Sequence, residues 1–196
     1  MHNYLKELNP EQKKAVTHIE GPLMVIAGPG SGKTRVLTSR IVHLLQNKIS
    51  PFNILALTFT NKAAKEMRER IEQIVGLTES KSLWMGTYHS IFARILRIES
   101  ENFNYPSNFT IYDSEDSKSL VRSIIKDLKL DKDIYKVSII RNRISQLKNN
   151  FITPDSYLNH TELIESDKIS KRTEFSRIYQ NYQKRCEKSS ALDFDD

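Results

Sequence analysis

The run Ala27-Gly28-Pro29-Gly30-Ser31-Gly32-Lys33-Thr34 holds the strongest chemistry in this 196-residue chain. It matches the phosphate-binding pattern ending in Gly-Lys-[Ser/Thr], with Ala27 where the strictest form has glycine. Glycines let the backbone curl until its N–H groups converge on phosphate oxygens, and a helix opening directly afterwards adds its positive end. In that geometry Lys33 reaches the β- and γ-phosphates of a nucleotide, and Thr34 offers its hydroxyl to Mg²⁺. A plain Gly-rich turn is the alternative. The flanks speak against it: Leu23-Met24-Val25-Ile26-Ala27 predicts a buried strand, and beyond Lys33 the residues Val36, Leu37, Ile41, Leu44 and Leu45 recur at helical spacing up to Gln46. Such a loop does not by itself separate kinases, GTPases, transporters and motor ATPases.

The elements around the loop alternate in the way of βα units on a parallel sheet. Asn9-Pro10-Glu11 reads as a helix start, with Asn as N-cap, Pro at the first helical position and an acid in the first turn. A second strand is expected over Ile54 to Phe59, then a helix capped by Asn61 that buries Ala63, Ala64, Met67, Ile71, Ile74 and Val75. Outside that helix Lys65–Glu69 and Glu66–Arg70 pair at i,i+4. A third strand, Leu83 to Gly86, precedes a helix carrying Ile91, Phe92, Ile95 and Leu96.

After Glu99 the texture changes. Apart from a short run, Phe109 to Tyr112, the pattern predicts helices over Ser114 to Leu128, Tyr135 to Asn149, a short one from Pro154, and Lys171 to Lys188. The segment Asn104 to Asn108, with Pro106, is the best boundary between the α/β half and the helical half.

Composition narrows the class. Hydrophobic residues at 38% and charged residues at 28% argue against a disordered tail, and this length buries a core without staples. One cysteine, Cys186, forms no intrachain disulfide and no multi-thiolate zinc site, so a reducing cytoplasm is expected. No stretch approaches ~18 consecutive apolar residues, and the start MHNYLKELNP lacks a signal-peptide pattern, so no membrane partner is expected. A net charge of +6 permits a polyanionic partner.

Four segments together resemble the UvrD/Rep family of superfamily 1 DNA helicases, closest to its PcrA/UvrD branch. They are Leu8-Asn9-Pro10-Glu11-Gln12, Ala27 to Thr34 with Arg35, Thr58-Phe59-Thr60-Asn61-Lys62-Ala63-Ala64, and Gly86-Thr87-Tyr88-His89-Ser90; the ending Leu192-Asp193-Phe194-Asp195-Asp196 fits the same family. The resemblance implies that Gln12 reads adenine, since a side-chain amide both donates and accepts. Arg35 contacts phosphate or stacks near the base, or is a surface arginine. Phe59, at a strand end where ligands of open α/β sheets gather, stacks on a base of single-stranded DNA, while Thr60 and Asn61 bond its phosphates. A core place for Phe59 and simple capping by Asn61 are the alternatives. Thr87 and His89 lie in the segment resembling a second DNA-contacting motif; a capping or core histidine is the bland reading of His89.

The fold so implied is α/β: a partial RecA-like P-loop NTPase parallel sheet with an appended all-helical subdomain. Its divisions are 1–105 for the ATP-binding subdomain 1A, 106–190 for the helical subdomain 1B, and 191–196 for a segment returning toward 1A. Between Ile134 and Pro154 every charge is basic (Lys136, Arg141, Arg143, Lys148), a helix that either meets duplex phosphate at a single-strand/double-strand junction or is merely solvated. Tyr135, Tyr157, Tyr179 and Tyr182 are expected to pack rather than to stack on bases.

Hydrolysis in this class needs an acid at a strand end to hold Mg²⁺ and position water. Asp113, after Phe109-Thr110-Ile111-Tyr112, imitates one but is better explained as a helix N-terminus with Glu115 and Asp116 in its first turn. Asp193, Asp195 and Asp196 precede the acidic strand in the family rather than replace it. The resemblance therefore implies the front part of a longer ATP-dependent 3′–5′ DNA helicase of repair or replication, itself without unwinding or appreciable ATPase activity. A RecB/AddA-type helicase-nuclease subunit and a non-enzymatic nucleotide- or DNA-binding module are the rivals. A P-loop kinase leaves Phe59 and His89 unexplained.

Overall fold

The computed structural model describes residues 4–196, which form two compact units dividing between Ile95 and Leu96. The first unit opens with α1 (Pro10–Thr17). Asn9 accepts from the Gln12 backbone N–H at 2.9 Å, and the Gln12 side chain accepts from the Asn9 N–H at 3.1 Å, closing a capping box in front of Pro10. After the glycine loop comes α2 (Lys33–Gln46), followed by β1 (Leu55–Thr58), α3 (Asn61–Val75), α4 (Leu77–Ser82), β2 (Trp84–Thr87) and α5 (Tyr88–Ile98), within which the first unit ends. β1 and β2 pair in parallel, from Leu55 opposite Trp84 to Thr58 opposite Thr87, and α3 with α4 supplies the crossover that a parallel pair needs.

Ile41 and Val42 of α2, Ile54 and Ala56, Met67 and Ile71 of α3, and Leu83 and Met85 make the core of this unit. Arg68 staples it, donating to the carbonyls of Ser80 at 2.9 Å and Met85 at 2.8 Å. The pairs Lys65–Glu69 and Glu66–Arg70 form on the outer face of α3 as the spacing predicts. Gly86 permits the close return of α5: a Cβ there would lie 2.6 Å from Ser90 Oγ and 3.2 Å from Ile91 Cγ1.

Two local expectations fail in this unit. Leu23 to Ala27 is not a buried strand; it has no ladder partner, and Ile26 is 91% exposed. An apolar run of this kind is buried only as an inner strand covered on both faces, and among the described residues β1 and β2 pair with each other alone. The cap of α3 is Thr60, not Asn61. The Thr60 hydroxyl accepts from the Ala63 N–H at 3.2 Å, which makes Asn61 the first helical residue. Either residue type caps well, but only Thr60 has the extended backbone a cap requires.

The second unit contains β3 (Thr110–Tyr112), α6 (Ser114–Asp127), α7 (Val137–Asn149), α8 (Pro154–Tyr157), α9 (Thr161–Ile169), α10 (Phe175–Lys188) and β4 (Ala191–Asp193), with β3 and β4 parallel. Asp113 is the N-cap of α6: its carboxylate accepts from the N–H groups of Glu115 and Asp116, and Asp116 reciprocates. The last helix starts at Phe175 rather than Lys171, because Lys171 takes the left-handed φ of 60° with which the turn after α9 ends. Tyr135, Tyr157, Tyr179 and Tyr182 are buried around Phe175, and each hydroxyl is bonded, as a buried tyrosine requires.

The basic residues of α7 are not a free stripe. Arg143 donates to Asp167, which also binds Arg172 and the Tyr157 hydroxyl. Arg141 pairs with Asp195 at 3.4 Å, and Lys148 donates to Asp193 at 3.0 Å and Asp196 at 2.7 Å. Three of the four cations named for a duplex contact thus neutralise acids of the same unit, and Lys136 alone of them stays exposed. The acids lie 24 to 54 residues away in sequence, so local pattern did not reveal them.

Candidate functional site

The glycine loop owes its shape to two positive φ angles, 73° at Gly30 and 82° at Gly32. Gly32 is the N-cap of α2 and has no side chain with which to bond the first-turn N–H groups, so these donors stay available to an incoming anion. The Lys33 ammonium folds back over the loop and donates to the carbonyls of Gly28 at 2.6 Å and Ala27 at 3.1 Å. Ser31 Oγ also donates to Gly28, at 2.7 Å. These are exposed, exchangeable bonds, which an anionic ligand can replace with charge-assisted ones.

A hollow of about 520 Å³ opens beside the loop, lined by Gln12, residues 30–35 and Arg70. Gln12 sits against it: Nε2 donates to the Ser31 carbonyl at 2.9 Å while Oε1 accepts from Asn9. The capping box of α1 therefore anchors the phosphate loop, a structural duty beside which the amide keeps one further donor and one lone pair. Arg35 is exposed on the rim, with NH1 3.4 Å from the Glu7 carbonyl. A second hollow of about 950 Å³ adjoins, sharing Gln12, Ser31 and Lys33 and walled by α1, α2 and the unpaired run 23–27.

The donors suit a nucleotide polyphosphate, which meets backbone N–H groups, one ammonium and the Arg35 guanidinium on the rim. Among the described residues no cluster of three or more His, Cys, Asp or Glu side chains could hold a metal. The Thr34 hydroxyl is a hard oxygen ligand of the kind Mg²⁺ accepts together with substrate phosphates, so the residues fit a cation that arrives with its nucleotide.

The second constellation lies at the carboxyl ends of β1 and β2. Thr58 and Thr87 are register partners, which sets Phe59, Thr60 and Asn61 beside Tyr88 and His89 on one edge of the ladder. Phe59 is 93% exposed and so is not a core residue. The hydroxyls of Thr60 and Thr87 are engaged locally, the first in capping α3 and the second with Ser90 at 3.0 Å. The structure thus gathers Gln12 and Gly30 to Arg35 at one hollow, places Ala27 and Gly28 on the adjoining one and Pro29 on neither, and sets Phe59 to Asn61 with Thr87 and His89 at one strand edge.

Two neighbours were missed. Tyr88 is half-exposed on the same edge, and its place between Thr87 and His89 was the signal. Arg70 lines the loop hollow, although the sequence showed it only as the partner of Glu66.

Among the described residues no helix is long and apolar enough to cross a membrane. The family of UvrD/REP helicase N-terminal domains matches residues 8–196. Over its whole length the chain is 43% identical to the ATP-dependent DNA helicase PcrA of Staphylococcus epidermidis and 41% identical to that of Staphylococcus aureus. It spans about a quarter of the length of these relatives, 26% in each case. With motifs, α/β architecture and full-length similarity in agreement, the chain belongs to the family of UvrD/REP helicase N-terminal domains.

Proposed function

We propose that this chain is the ATP- and DNA-binding front part of an ATP-dependent 3′–5′ DNA helicase that works in DNA repair or replication in the cytoplasm. The observation that carries the reading is the hollow beside Gly32, where uncapped N–H groups of α2, the Lys33 ammonium and the Gln12 amide converge. In this proposal residues 1–105 are a RecA-like ATP-binding subdomain and 106–190 a helical one, with 191–196 leading back toward the first. Lys33 holds the β- and γ-phosphates, Thr34 takes Mg²⁺, Gln12 reads adenine, and Arg35 flanks the base or phosphate. Bound Mg²⁺ supplies neutralisation of phosphate charge.

Single-stranded DNA runs over the edge of β1 and β2, where Phe59 stacks on a base and Thr60, Asn61, Thr87 and His89 meet the backbone. Junctions between single and double strands are the substrate of the whole enzyme. These 196 residues are expected to bind nucleotide without turning it over. The test is a phosphate-release assay on the 196-residue chain with single-stranded DNA added. Negligible stimulation is expected, and brisk DNA-stimulated hydrolysis would contradict the assignment.

A further inference from the structure

Arg70 has no role in the site outlined so far, yet it lines the same hollow as Lys33 and Thr34. It projects from the second turn from the end of α3, and its guanidinium NH2 donates to Glu66 one helical turn earlier. Both side chains are close to half exposed, 44% for Arg70 and 49% for Glu66. An i,i+4 pair in that setting is weak and easily exchanged. A guanidinium binds phosphate in a planar two-point mode that an ammonium lacks. The loop side of the hollow offers the Lys33 ammonium, the Arg35 guanidinium on the rim and backbone N–H groups to a ligand bearing several negative charges, and a further cation facing it from α3 adds a donor from the opposite wall.

We propose that Arg70 is a phosphate-binding residue of this site, exchanging Glu66 for the polyphosphate chain of the nucleotide when it binds, with Glu66 as the counter-ion that holds the guanidinium in the empty state. The inference rests on the nucleotide reading of the hollow and deepens it. It has a consequence of opposite sign at the two residues: removing Arg70 weakens binding, whereas removing the charge of Glu66 frees Arg70 and strengthens it.

The experiment titrates the 196-residue chain with a fluorescent ADP analogue and displaces it with inorganic tripolyphosphate, in the parent and in Arg70→Ala, Arg70→Lys, Glu66→Gln and Lys33→Ala. Loss of a charge-assisted contact predicts a tripolyphosphate affinity about tenfold weaker in Arg70→Ala, partly recovered in Arg70→Lys. Release from an exposed i,i+4 pair predicts an affinity about twofold tighter in Glu66→Gln. The signal of Trp84, in the same unit, verifies that each variant is folded. If Lys33→Ala loses affinity while Arg70→Ala keeps it, the Arg70 proposal fails and the nucleotide reading stands. If Arg70→Ala and Glu66→Gln weaken binding alike, the pair merely braces α3 and the exchange is overturned. If Lys33→Ala binds as the parent does, the nucleotide reading falls and takes this inference with it.

Discussion

Replacing Lys148 with Met removes the one cation that binds two carboxylates at the end of the second unit. Its side chain is 6% exposed and that of Asp193 3%, so the pair is buried. The ammonium also lies 5.3 Å from the centre of the Tyr182 ring. Breaking a buried pair from one side costs ~3–5 kcal/mol, because the remaining charge is left without its partner. Asp193 would keep the Tyr182 hydroxyl at 2.7 Å and the backbone N–H groups of Asp195 at 2.9 Å and Asp196 at 3.1 Å. Those three donors place the loss at the lower end, ~3 kcal/mol, a large share of the ~5–15 kcal/mol that holds a domain together.

The reporter is already present. Cys186 is the only cysteine, it is buried in the same unit, and burial pushes its thiol up to about 12, so it is inert in the folded state. Unmasking of the thiol toward a disulfide reagent is followed against urea. With a slope of ~1.5 kcal/mol per molar, the midpoint in Lys148→Met falls by ~2 M at neutral pH.

The effect has a pH signature. Burial would raise the Asp193 carboxyl, but Lys148 and the Tyr182 hydroxyl bring it below its ordinary value. A depressed acid contributes stability above its unfolded value, and that stability is lost as pH falls through the folded one. Lys148 is raised by Asp196 and Asp193 against its burial, so its share is complete below its unfolded value and is lost as pH climbs through the raised one. Asp196 runs the other way: burial and the neighbouring Asp193 lift its carboxyl, so acid relieves it. The gap between parent and variant is therefore widest at neutral pH and narrows as acid enters the carboxylate range. Coincident thiol-unmasking curves at neutral pH refute the reasoning.

Three further outcomes follow from the site. Thr60→Ala removes the α3 cap and costs ~1 kcal/mol in urea unfolding followed by Trp84, whereas Asn61→Ala costs far less; the reverse order would return the cap to Asn61. Phe59→Ala leaves that unfolding curve in place, since the ring is exposed, but weakens single-stranded DNA binding by the full-length enzyme by ~1–3 kcal/mol in fluorescence anisotropy. Gly32→Ala puts a Cβ at φ 82° and 2.9 Å from Gln12 Nε2. The amide end can swing aside but the backbone cannot, so nucleotide affinity falls through ~1–2 kcal/mol of strain, read by calorimetric titration.

What could be read from the sequence was local. The glycine loop, the Asn9–Gln12 capping box, the Asp113 helix start and the i,i+4 pairs of α3 each lie within a few residues, and all are present. Failures came where the deciding partner was distant. Leu23 to Ala27 has the composition of an inner strand, but a strand is made by its neighbours, and none pairs with it here. Arg141, Arg143 and Lys148 read as either a duplex-phosphate contact or solvated charge, and their pairing was hidden because their acids, Asp195, Asp167 and Asp193, come from α9 and from the segment around β4. Within the site, Lys33 and its loop were legible from spacing alone, while Arg70 was hidden behind an adequate local explanation in Glu66.

Calorimetric titration of the 196-residue chain with ATP and Mg²⁺, in the parent and in Lys33→Ala, tests the central claim most directly. Saturable one-to-one heat in the parent that vanishes in the variant is the predicted result. Equal affinity in the two proteins would show that the ammonium folded over Ala27 and Gly28 has no part in holding a triphosphate.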